Sequence, residues 1–261
     1  MLTKLINFAT YSSLKIGAPI DTYLIQTPQD SLHASNIRII GRANNMLISP
    51  EAKNLALLDK SFSYIKEEEK YIEVGAATNA NGIFRYFKTH NLAGVEFLQA
   101  LPGSLGGLVK MNAGMKEHEM AQSLHSINVN GIWHNIHSFP MAYRNSGIEG
   151  IILAARFHKT YGFNHKLLAQ CNAMRASHPK EPSCGSCFKN PQGDFAGRLL
   201  ESVGLKGYSI GDAAFSQKHA NFLINKGKAS FEDAISLIEL GKKRVFEASG
   251  IMLECEVQIL Y

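Results

Sequence analysis

The sequence has no long apolar run and no dense cluster of basic residues. No stretch approaches the roughly 18 apolar residues that a membrane-spanning helix needs, so we expect no membrane insertion. The N-terminal segment, Met1 to Phe8, is too interrupted by polar residues for a signal peptide, which predicts a cytoplasmic protein. Lysine and arginine are scattered, so the formal net charge of +5 favours small anionic ligands and predicts no nucleic-acid binding.

Cysteine is scarce as well. The chain has four, and only Cys184 and Cys187 have the Cys-x-x-Cys spacing of a zinc or redox site. Cys171 and Cys255 are isolated, so zinc has no second ligand pair at short spacing. We therefore expect no metal site, and reduced cysteines that pack in the core, as is usual in the cytoplasm.

The two common nucleotide-binding fingerprints are also missing. The segment Leu101 to Gly114 contains four glycines, but it matches neither Gly-x-Gly-x-x-Gly nor a phosphate loop that ends in Gly-Lys-Ser/Thr. A Rossmann domain and a P-loop ATPase both lose support. Glycine does allow the backbone to approach a flat or pyrophosphate-bearing ligand closely. The residues alone equally allow the packed turns of an α/β unit.

What is present is a globular composition with mixed secondary-structure signals. Of the 261 residues, 45% are hydrophobic and 19% charged, which suits one large or two ordinary domains. Short β-prone runs at Thr22 to Gln26 and Ile37 to Ile40 predict strands. Near residue 162 the pattern becomes polar and helix-prone, which predicts a domain boundary there.

Several local signals predict individual elements. Thr78 is the expected cap of a helix that presents Ile83, Phe84 and Phe87, and Asn130-Gly131 predicts a hairpin turn. A further helix is expected to end at Gly204, and Ser230 to Asp233 should cap the last helix. Period-two alternation from Ile251 to Ile259 predicts a final strand with both of its glutamates on one face.

The most distinctive run is Ser183-Cys184-Gly185-Ser186-Cys187-Phe188-Lys189-Asn190-Pro191. It places a hydroxyl, a cation and an amide within five residues, and Gly185 can hold a turn that other residues resist. Taken alone, this run fits an ordinary loop of turn-forming residues equally well.

The same run resembles the Gly-Ser-x-Phe-Lys-Asn-Pro element of the UDP-N-acetylenolpyruvoylglucosamine reductases, the MurB family of bacterial cell-wall synthesis. Other segments resemble that family in the same order: Ile40-Gly41-Arg42-Ala43-Asn44-Asn45, Leu101 to Gly107 continuing to Met111-Asn112-Ala113-Gly114, Tyr143-Arg144-Asn145-Ser146, His219-Ala220-Asn221-Phe222, and Leu253-Glu254-Cys255-Glu256-Val257. Arg42 departs from the small residues that the family shows at its position. The ordered set spans nearly the whole chain.

The resemblance implies a fold, domains and ligands. It implies an α+β protein with a two-lobed FAD-binding domain of the PCMH (vanillyl-alcohol-oxidase-like) type, at residues 1–162 with lobes dividing near 78. A smaller α/β substrate-binding domain would follow at 163–261. The implied cofactors are FAD and NADPH, and the chain resembles the shorter members, which lack an inserted tyrosine-bearing loop. We expect a monomer.

The resemblance also assigns roles to residues. Arg144, Ser186 and Glu256 align with the family's catalytic residues. The implied cofactor-binding residues are Gly41, Arg42, Ala43, Asn44, Asn45, Pro102, Gly103, Ser104, Gly106, Gly107, Asn112, Ala113 and Gly114. Arg175, His178, Lys189 and Asn190 are candidates to bind the diphosphate or carboxylate of the substrate.

The implied reaction is the reduction of an enolpyruvyl group on UDP-N-acetylglucosamine. NADPH would reduce FAD, hydride would pass from flavin N5 to C3, and Ser186 would give a proton to C2. Arg144 and a protonated Glu256 would stabilise the charge that develops on the substrate. Two alternatives stay open: another FAD-dependent oxidoreductase of the same fold, and a non-catalytic flavin-binding protein.

Overall fold

The computed structural model describes residues 1–32 and 36–261, and the chain forms two compact units. The first unit consists of Met1–Lys4, Thr22–Gly41 and Asn54–Ala176, and the second of Leu5–Asp21, Arg42–Lys53 and Ser177–Tyr261. Each unit is thus assembled from separate segments. The consecutive domains expected at 1–162 and 163–261 remain a prediction.

The strands in chain order are β1 Leu2–Asn7, β2 Pro19–Ile25, β3 Arg38–Ile39, β4 Met46–Ile48, β5 Leu55–Leu58, β6 Ile65–Glu67, β7 Tyr71–Gly75, β8 Gly114–Met115, β9 His118–Glu119, β10 Leu124–Val129, β11 Ile132–Asn135, β12 Ile152–His158, β13 Ser183–Ser186, β14 Ser209–Ile210, β15 Ala213–Phe215, β16 Phe222–Asn225 and β17 Gln258–Leu260. The α-helices are α1 Phe8–Tyr11, α2 Pro28–Leu32, α3 Ala80–Thr89, α4 Leu105–Lys110, α5 Met120–Ser123, α6 His165–Ala176, α7 Ala196–Ser202 and α8 Phe231–Ser249. Short 3₁₀-helices cover Lys60–Phe62, Glu96–Gln99 and Ile136–Ser138.

The first unit is built around a five-stranded sheet in the order β11-β10-β12-β7-β6. Helix α3 buries Ile83, Phe84 and Phe87 in the same core as this sheet, as its spacing predicts. Its cap lies one residue later than expected: Asn79 Oδ1 accepts from the Gly82 N–H at 2.7 Å. The Thr78 hydroxyl is turned instead toward the Tyr64 carbonyl, to which it donates at 3.0 Å.

The predicted strands near the N-terminus are present, the second in shortened form. In the first unit, β5 pairs in parallel with both β2 and β3. Gly41 therefore lies just after the carboxyl end of β3, at the edge of this small sheet.

The Asn130-Gly131 hairpin is confirmed. Val129 and Ile132 face each other at the end of the β10–β11 pair, and both turn residues have positive φ, 51° for Asn130 and 90° for Gly131. Two positive φ values in a two-residue turn match the right-handed twist of the flanking strands.

The second unit combines a four-stranded sheet, β13-β16-β15-β14, with α8 and the parallel pair β4–β17. Its core includes Phe188 and Phe215 from the sheet side and Gly241 from α8. A Cβ at Gly241 would lie 3.2 Å from the Phe215 ring, so glycine permits the close approach of helix and sheet.

The prediction of a continuous final strand is wrong. Only β17 is regular in this stretch, because it pairs with β4, whereas Cys255 forms an isolated bridge with Phe188. The alternation itself is present: Leu253 and Val257 are buried and Glu254 is exposed. Gln258–Leu260 and Cys255 thus pair with different parts of the chain, so the stretch does not form one ladder.

Across residues 1–32 and 36–261, none of the helices combines the length and the apolar composition that crossing a bilayer demands.

The cap of α8 generates a stability prediction. Ser230 Oγ accepts from the Asp233 N–H and the Asp233 carboxylate accepts from the Ser230 N–H, which forms a capping box. We expect Ser230→Ala to lower the free energy of unfolding by about 1 kcal/mol, measured by urea denaturation. Ser236→Ala is the matched control on an exposed face of the same helix, and should be neutral or raise stability by about 0.5 kcal/mol. Equal losses in the two variants would contradict the assignment.

Candidate active site

Ser186 lies at the end of strand β13 in the second unit. Ser183 pairs with Ile224 and Ser186 pairs with Phe222. The chain therefore advances by three residues along β13 while it advances by two along β16. The extra residue is a bulge, and Gly185 accommodates it with a φ of +77°. The turn-forming glycine of the sequence motif therefore sets the register that places half-buried Ser186 opposite Phe222.

A buried asparagine fixes the chain that follows Ser186. Asn221 Nδ2 donates to the Phe188 carbonyl at 2.8 Å, and Asn221 Oδ1 accepts from the Phe188 N–H at 2.9 Å. The Cys187 N–H donates to the Asn221 carbonyl at 2.6 Å. This side chain thus replaces a strand partner for Phe188. The sequence motif includes Asn221 but gives no sign of this role.

Glu256 is held beside this segment. Its N–H donates to the Cys187 carbonyl at 2.8 Å, and its own carbonyl accepts from Asn45 Nδ2 at 2.9 Å. The Gln258 N–H in turn donates to the Asn45 carbonyl at 3.0 Å. The second unit therefore brings Glu256 next to the residue that follows Ser186, and Asn45 next to Glu256. The Glu256 side chain is half-buried.

Lys189 and Asn190, which follow this segment, have different hydrogen-bond partners. The Lys189 N–H donates to the Glu254 carbonyl at 2.9 Å, and its ammonium forms an ion pair with the Glu254 carboxylate. Glu254, to which the sequence motif assigns no role, is thus the partner of a predicted substrate-binding residue. Asn190 Oδ1 accepts from the Ala196 N–H at the start of α7, at 3.1 Å.

His178 and His219 both pack at tilted angles against Phe222, the strand partner of Ser186. Their ring centroids lie 4.8 and 5.0 Å from that of Phe222. Burial lowers the pKa of His219. The resemblance includes both histidines but suggests a role for His178 alone.

The loop Arg42 to Asn45, also in the second unit, contains two unusual features. Ala43 is buried and has a φ of +48°, a conformation that costs free energy for a residue with a Cβ. Ser13 Oγ lies within hydrogen-bond distance of the Ala43 and Asn44 carbonyls, which holds this shape. Asn44 Oδ1 is buried and has no hydrogen-bond partner among the described residues. A buried oxygen of this kind can accept an N–H or O–H from a ligand.

The glycine-rich segment belongs to the first unit, and its glycines are favoured for different structural reasons. Gly103 has a φ of +134°, which only glycine adopts readily. A Cβ at Gly106 would lie 3.2 Å from the Ala76 Cβ, and one at Gly114 would lie 2.1 Å from the His118 carbonyl oxygen. Packing within the protein therefore requires glycine at position 114 and leaves little room for a side chain at position 106. Pro102 and Gly107 are exposed, and Ser104 and Asn112 are buried.

Gly41, at the end of the first unit's second segment, approaches this glycine-rich segment. A Cβ at Gly41 would lie 2.7 Å from Ser104 Oγ, so the backbone passes directly over the serine. Two of the predicted cofactor-binding residues thus touch. Ala113 continues the segment and donates its N–H to the Leu108 carbonyl at 2.8 Å.

Arg144 occupies a tight turn of the first unit, with a φ of +57°. The turn is closed by two hydrogen bonds between the backbones of Ala142 and Asn145. The Arg144 guanidinium donates from Nη2 to the Gly114 carbonyl at 3.4 Å and lies 4.8 Å from the centre of the Tyr143 ring. Arg175, on α6 of the same unit, donates to the Ala100 carbonyl.

The predicted site residues are thus divided between the units. The first unit contains Gly41, Pro102, Gly103, Ser104, Gly106, Gly107, Asn112, Ala113, Gly114, Arg144 and Arg175. The second contains Arg42, Ala43, Asn44, Asn45, His178, Ser186, Lys189, Asn190 and Glu256.

The cysteines of the second unit are thiols that line its core. Cys184 and Cys187 are buried, and burial raises the pKa of Cys184 to about 12 and that of Cys187 well above its usual value. Within the described ranges, 1–32 and 36–261, no three His, Cys, Asp or Glu side chains cluster as metal ligands would.

Comparisons with known proteins agree along the whole chain. Residues 177–260 match the family of the UDP-N-acetylenolpyruvoylglucosamine reductase C-terminal domain. The UDP-N-acetylenolpyruvoylglucosamine reductases of Helicobacter hepaticus and Helicobacter pylori strain J99 are 72% and 52% identical, each over all of this chain and all of theirs. The crystal structure of the Thermus caldophilus UDP-N-acetylenolpyruvylglucosamine reductase (MurB) superposes with a TM-score of 0.87 at 30% identity, with both chains covered completely. The expected α+β fold is confirmed by this match.

The buried thiols generate a reactivity prediction. Since the thiolate is the reactive form, Cys184 and Cys187 should resist iodoacetamide at pH 8 in the native protein, by roughly a hundredfold or more relative to the unfolded chain. Burial raises the pKa of half-buried Cys255, and the nearby Lys242 ammonium lowers it in part. This cysteine is the internal comparison and should react first. Mass spectrometry of alkylated peptides measures each rate. Native labelling of Cys187 ahead of Cys255 would contradict the prediction.

Proposed function

Because the chain belongs to the UDP-N-acetylenolpyruvoylglucosamine reductase family, we propose that it reduces UDP-N-acetyl-3-O-(1-carboxyvinyl)-glucosamine to UDP-N-acetylmuramate. The full-length identity of 72% to a reductase of that name is the observation that carries this proposal. The reaction would supply a precursor for peptidoglycan, and so serve cell-wall biogenesis, cell shape and cell division. We further propose that the enzyme uses NADPH, works in the cytoplasm and acts as a monomer.

The cofactor we propose is FAD. Bound FAD would supply the hydride chemistry, taking a hydride from NADPH and delivering it from N5 to C3 of the enolpyruvyl group. The residues that would hold it are the loop Gly41 to Asn45 and, in the glycine-rich segment, Pro102 to Gly107 together with Ala113 and Gly114. One feature fits a bound group of this kind: the buried Asn44 oxygen, which no described residue satisfies.

Arg144 would pair with the carboxylate of the enolpyruvyl group. A guanidinium presents donors in a planar fork that matches a carboxylate, and it keeps its charge throughout the reaction. Hydride addition at C3 places negative charge on C2 and on the attached carboxylate. A fixed cation at that position stabilises the charge without rearrangement of solvent. The closed turn from Ala142 to Asn145 supports such fixed placement.

Ser186 would donate the proton that C2 needs. A hydroxyl is a weak acid, so this transfer requires a strongly basic carbon and exclusion of water. The half-buried position of Ser186 and the hydrogen bonds that fix the next two residues support this role. After the transfer, the alkoxide would have to regain a proton from solvent or from a neighbouring group.

Glu256 would assist by donating a hydrogen bond from its protonated carboxyl group to the same developing charge. A carboxyl group stays protonated near neutral pH only where burial or nearby negative charge raises its pKa. The backbone of Glu256 is held on both sides, by Cys187 and by Asn45. This placement beside the residue that follows Ser186 supports a shared task.

The remaining candidates would bind anionic groups of the substrate. Lys189 forms an ion pair with an exposed carboxylate, Glu254, and exposed ion pairs are weak enough to exchange partners. We propose that Lys189 turns to the diphosphate or the carboxylate when the nucleotide binds. Arg175, His178 and Asn190 are proposed to contact the same anionic groups.

The reaction itself is the first test. The purified protein should be yellow, and after anaerobic reduction by NADPH its flavin absorbance should recover rapidly when the enolpyruvyl nucleotide is added. Stopped-flow absorbance follows this step. Recovery with oxygen but not with the nucleotide would indicate a different flavin oxidoreductase, and a chain that binds no added FAD would exclude both.

Ser186→Ala tests the proton donor. Loss of a general acid should slow nucleotide reduction by about 10²- to 10⁴-fold, while reduction of the flavin by NADPH stays within about twofold. Ser183→Ala is the matched control, because Ser183 is half-buried on the same strand and has no proposed role. An equal loss in both half-reactions of Ser186→Ala would overturn the assignment.

A further inference from the structure

Asn112 uses its side-chain hydrogen-bonding groups inside the first unit. The residue is fully buried, and Nδ2 donates to Glu119 Oε2 at 2.8 Å and to the Ala142 carbonyl at 3.2 Å. Oδ1 accepts from the Ala121 N–H at 3.1 Å. An asparagine amide has two N–H donors, and both are occupied. A ligand would therefore find no free donor on this side chain.

One of these bonds ends on the turn that carries Arg144. The Ala142 carbonyl accepts from Asn112 Nδ2 and also from the Asn145 N–H, so both of its lone pairs are used. Two residues beyond Asn112, the Gly114 carbonyl accepts from Arg144 Nη2 at 3.4 Å. The segment from Asn112 to Gly114 thus contacts the base of the turn and the guanidinium at its tip.

The turn needs external support because of its backbone. Arg144 has a φ of +57° and Met141 a φ of +32°, both in the left-handed region, where a residue with a Cβ is strained. Such conformations persist where the surroundings hold them in place. Asn112 itself has a φ of +41°, so the support also depends on a restricted backbone.

We propose that Asn112 is a positioning residue for Arg144, and that its side chain does not bind the cofactor. Its hydrogen bond to the Ala142 carbonyl fixes the position of the turn that carries Arg144. The nearby Gly114 carbonyl, which accepts from Arg144 Nη2, fixes the orientation of the guanidinium. The proposal rests on the proposed function for the role of Arg144 itself.

Asn112→Asp tests the donors without changing the shape of the side chain. The new side chain still accepts from Ala121, but next to the Glu119 carboxylate it holds at most one shared proton, so at least one of the two donor bonds, to Glu119 or to the Ala142 carbonyl, is lost. A displacement of about 1 Å at a positioned group costs up to roughly a hundredfold, so we expect kcat for the nucleotide to fall about 10- to 100-fold. The flavin content and the rate of reduction by NADPH should stay within about twofold of those of the wild type.

A second variant separates positioning from stability. When Asn112→Asp is combined with Glu119→Gln, the new amide at position 119 can donate to the new carboxylate at position 112, which restores that hydrogen bond in reverse. The thermal midpoint should recover while kcat stays low, because the Ala142 carbonyl still lacks its donor. Recovery of kcat together with stability would overturn the proposal. Asn112→Gly, which tolerates positive φ, is the substitute if the aspartate variant does not fold, with the same loss expected.

The matched control is Asn225→Asp in the second unit. Asn225 is also buried and fully hydrogen-bonded, with Nδ2 donating to the Leu14 and Lys15 carbonyls and Oδ1 accepting from the Gly227 and Ala229 N–H groups. The same change there should lower stability and leave kcat within about twofold, since these four partners are not site residues. A loss of kcat as large as that of Asn112→Asp would overturn the proposal.

A double-mutant cycle with Arg144→Ala decides whether Asn112 acts through Arg144. If it does, Asn112→Asp in the Arg144→Ala background slows the reaction little further. Losses that multiply in full would overturn the proposal and leave the proposed function intact. An Arg144→Ala enzyme with an unchanged rate would overturn both the role of Arg144 and the positioning role of Asn112.

Discussion

Backbone groups outside regular ladders need hydrogen-bond partners, and in this protein asparagine side chains supply several of them. Asn221 pairs with both backbone groups of Phe188, Asn112 holds the Ala142 carbonyl, and Asn45 holds the Glu256 carbonyl. In each case the segment served is an irregular piece of chain that carries a predicted catalytic residue or adjoins one. Regular strands would satisfy the same groups but could not present side chains from turns and bulges. An amide side chain combines both requirements, because it offers donor and acceptor from one rigid plane.

The elements with local signals are the ones that can be predicted from the sequence. The Asn130-Gly131 turn and the Ser230 cap depend on residues within a few positions of each other, so their chemistry is visible in the chain. The final strand is different, since whether Leu253 to Val257 forms a ladder depends on a partner far away in sequence. The alternation of burial is predictable there, whereas the regular pairing is not. Thr78 shows the same limit on a smaller scale, because its hydroxyl points to a carbonyl fourteen residues away, at Tyr64.

The candidate site shows which functional residues a motif resemblance identifies and which it does not. The motifs identify Ser186, Glu256 and Arg144, and the structure explains how the chain holds each one. They do not identify Asn221 as a clamp, Glu254 as the partner of Lys189, or the second imidazole on Phe222. These roles depend on which atoms meet across the fold. The glycine-rich segment illustrates the point, because neighbouring protein atoms require glycine at position 114 while Gly103 is distinguished by its backbone conformation.

The assembly of the second unit from separated segments has a consequence for how the chain folds as it is made. Strand β4 and its parallel partner β17 are separated by most of the sequence. During translation, β4 and the segment around Leu14 and Ile16 therefore leave the ribosome long before the core that will cover them. The first unit can bury most of its apolar surface earlier, because its last segment ends at Ala176. A nascent chain that stalls ahead of β17 would leave an uncovered strand edge open to association with other unfinished chains.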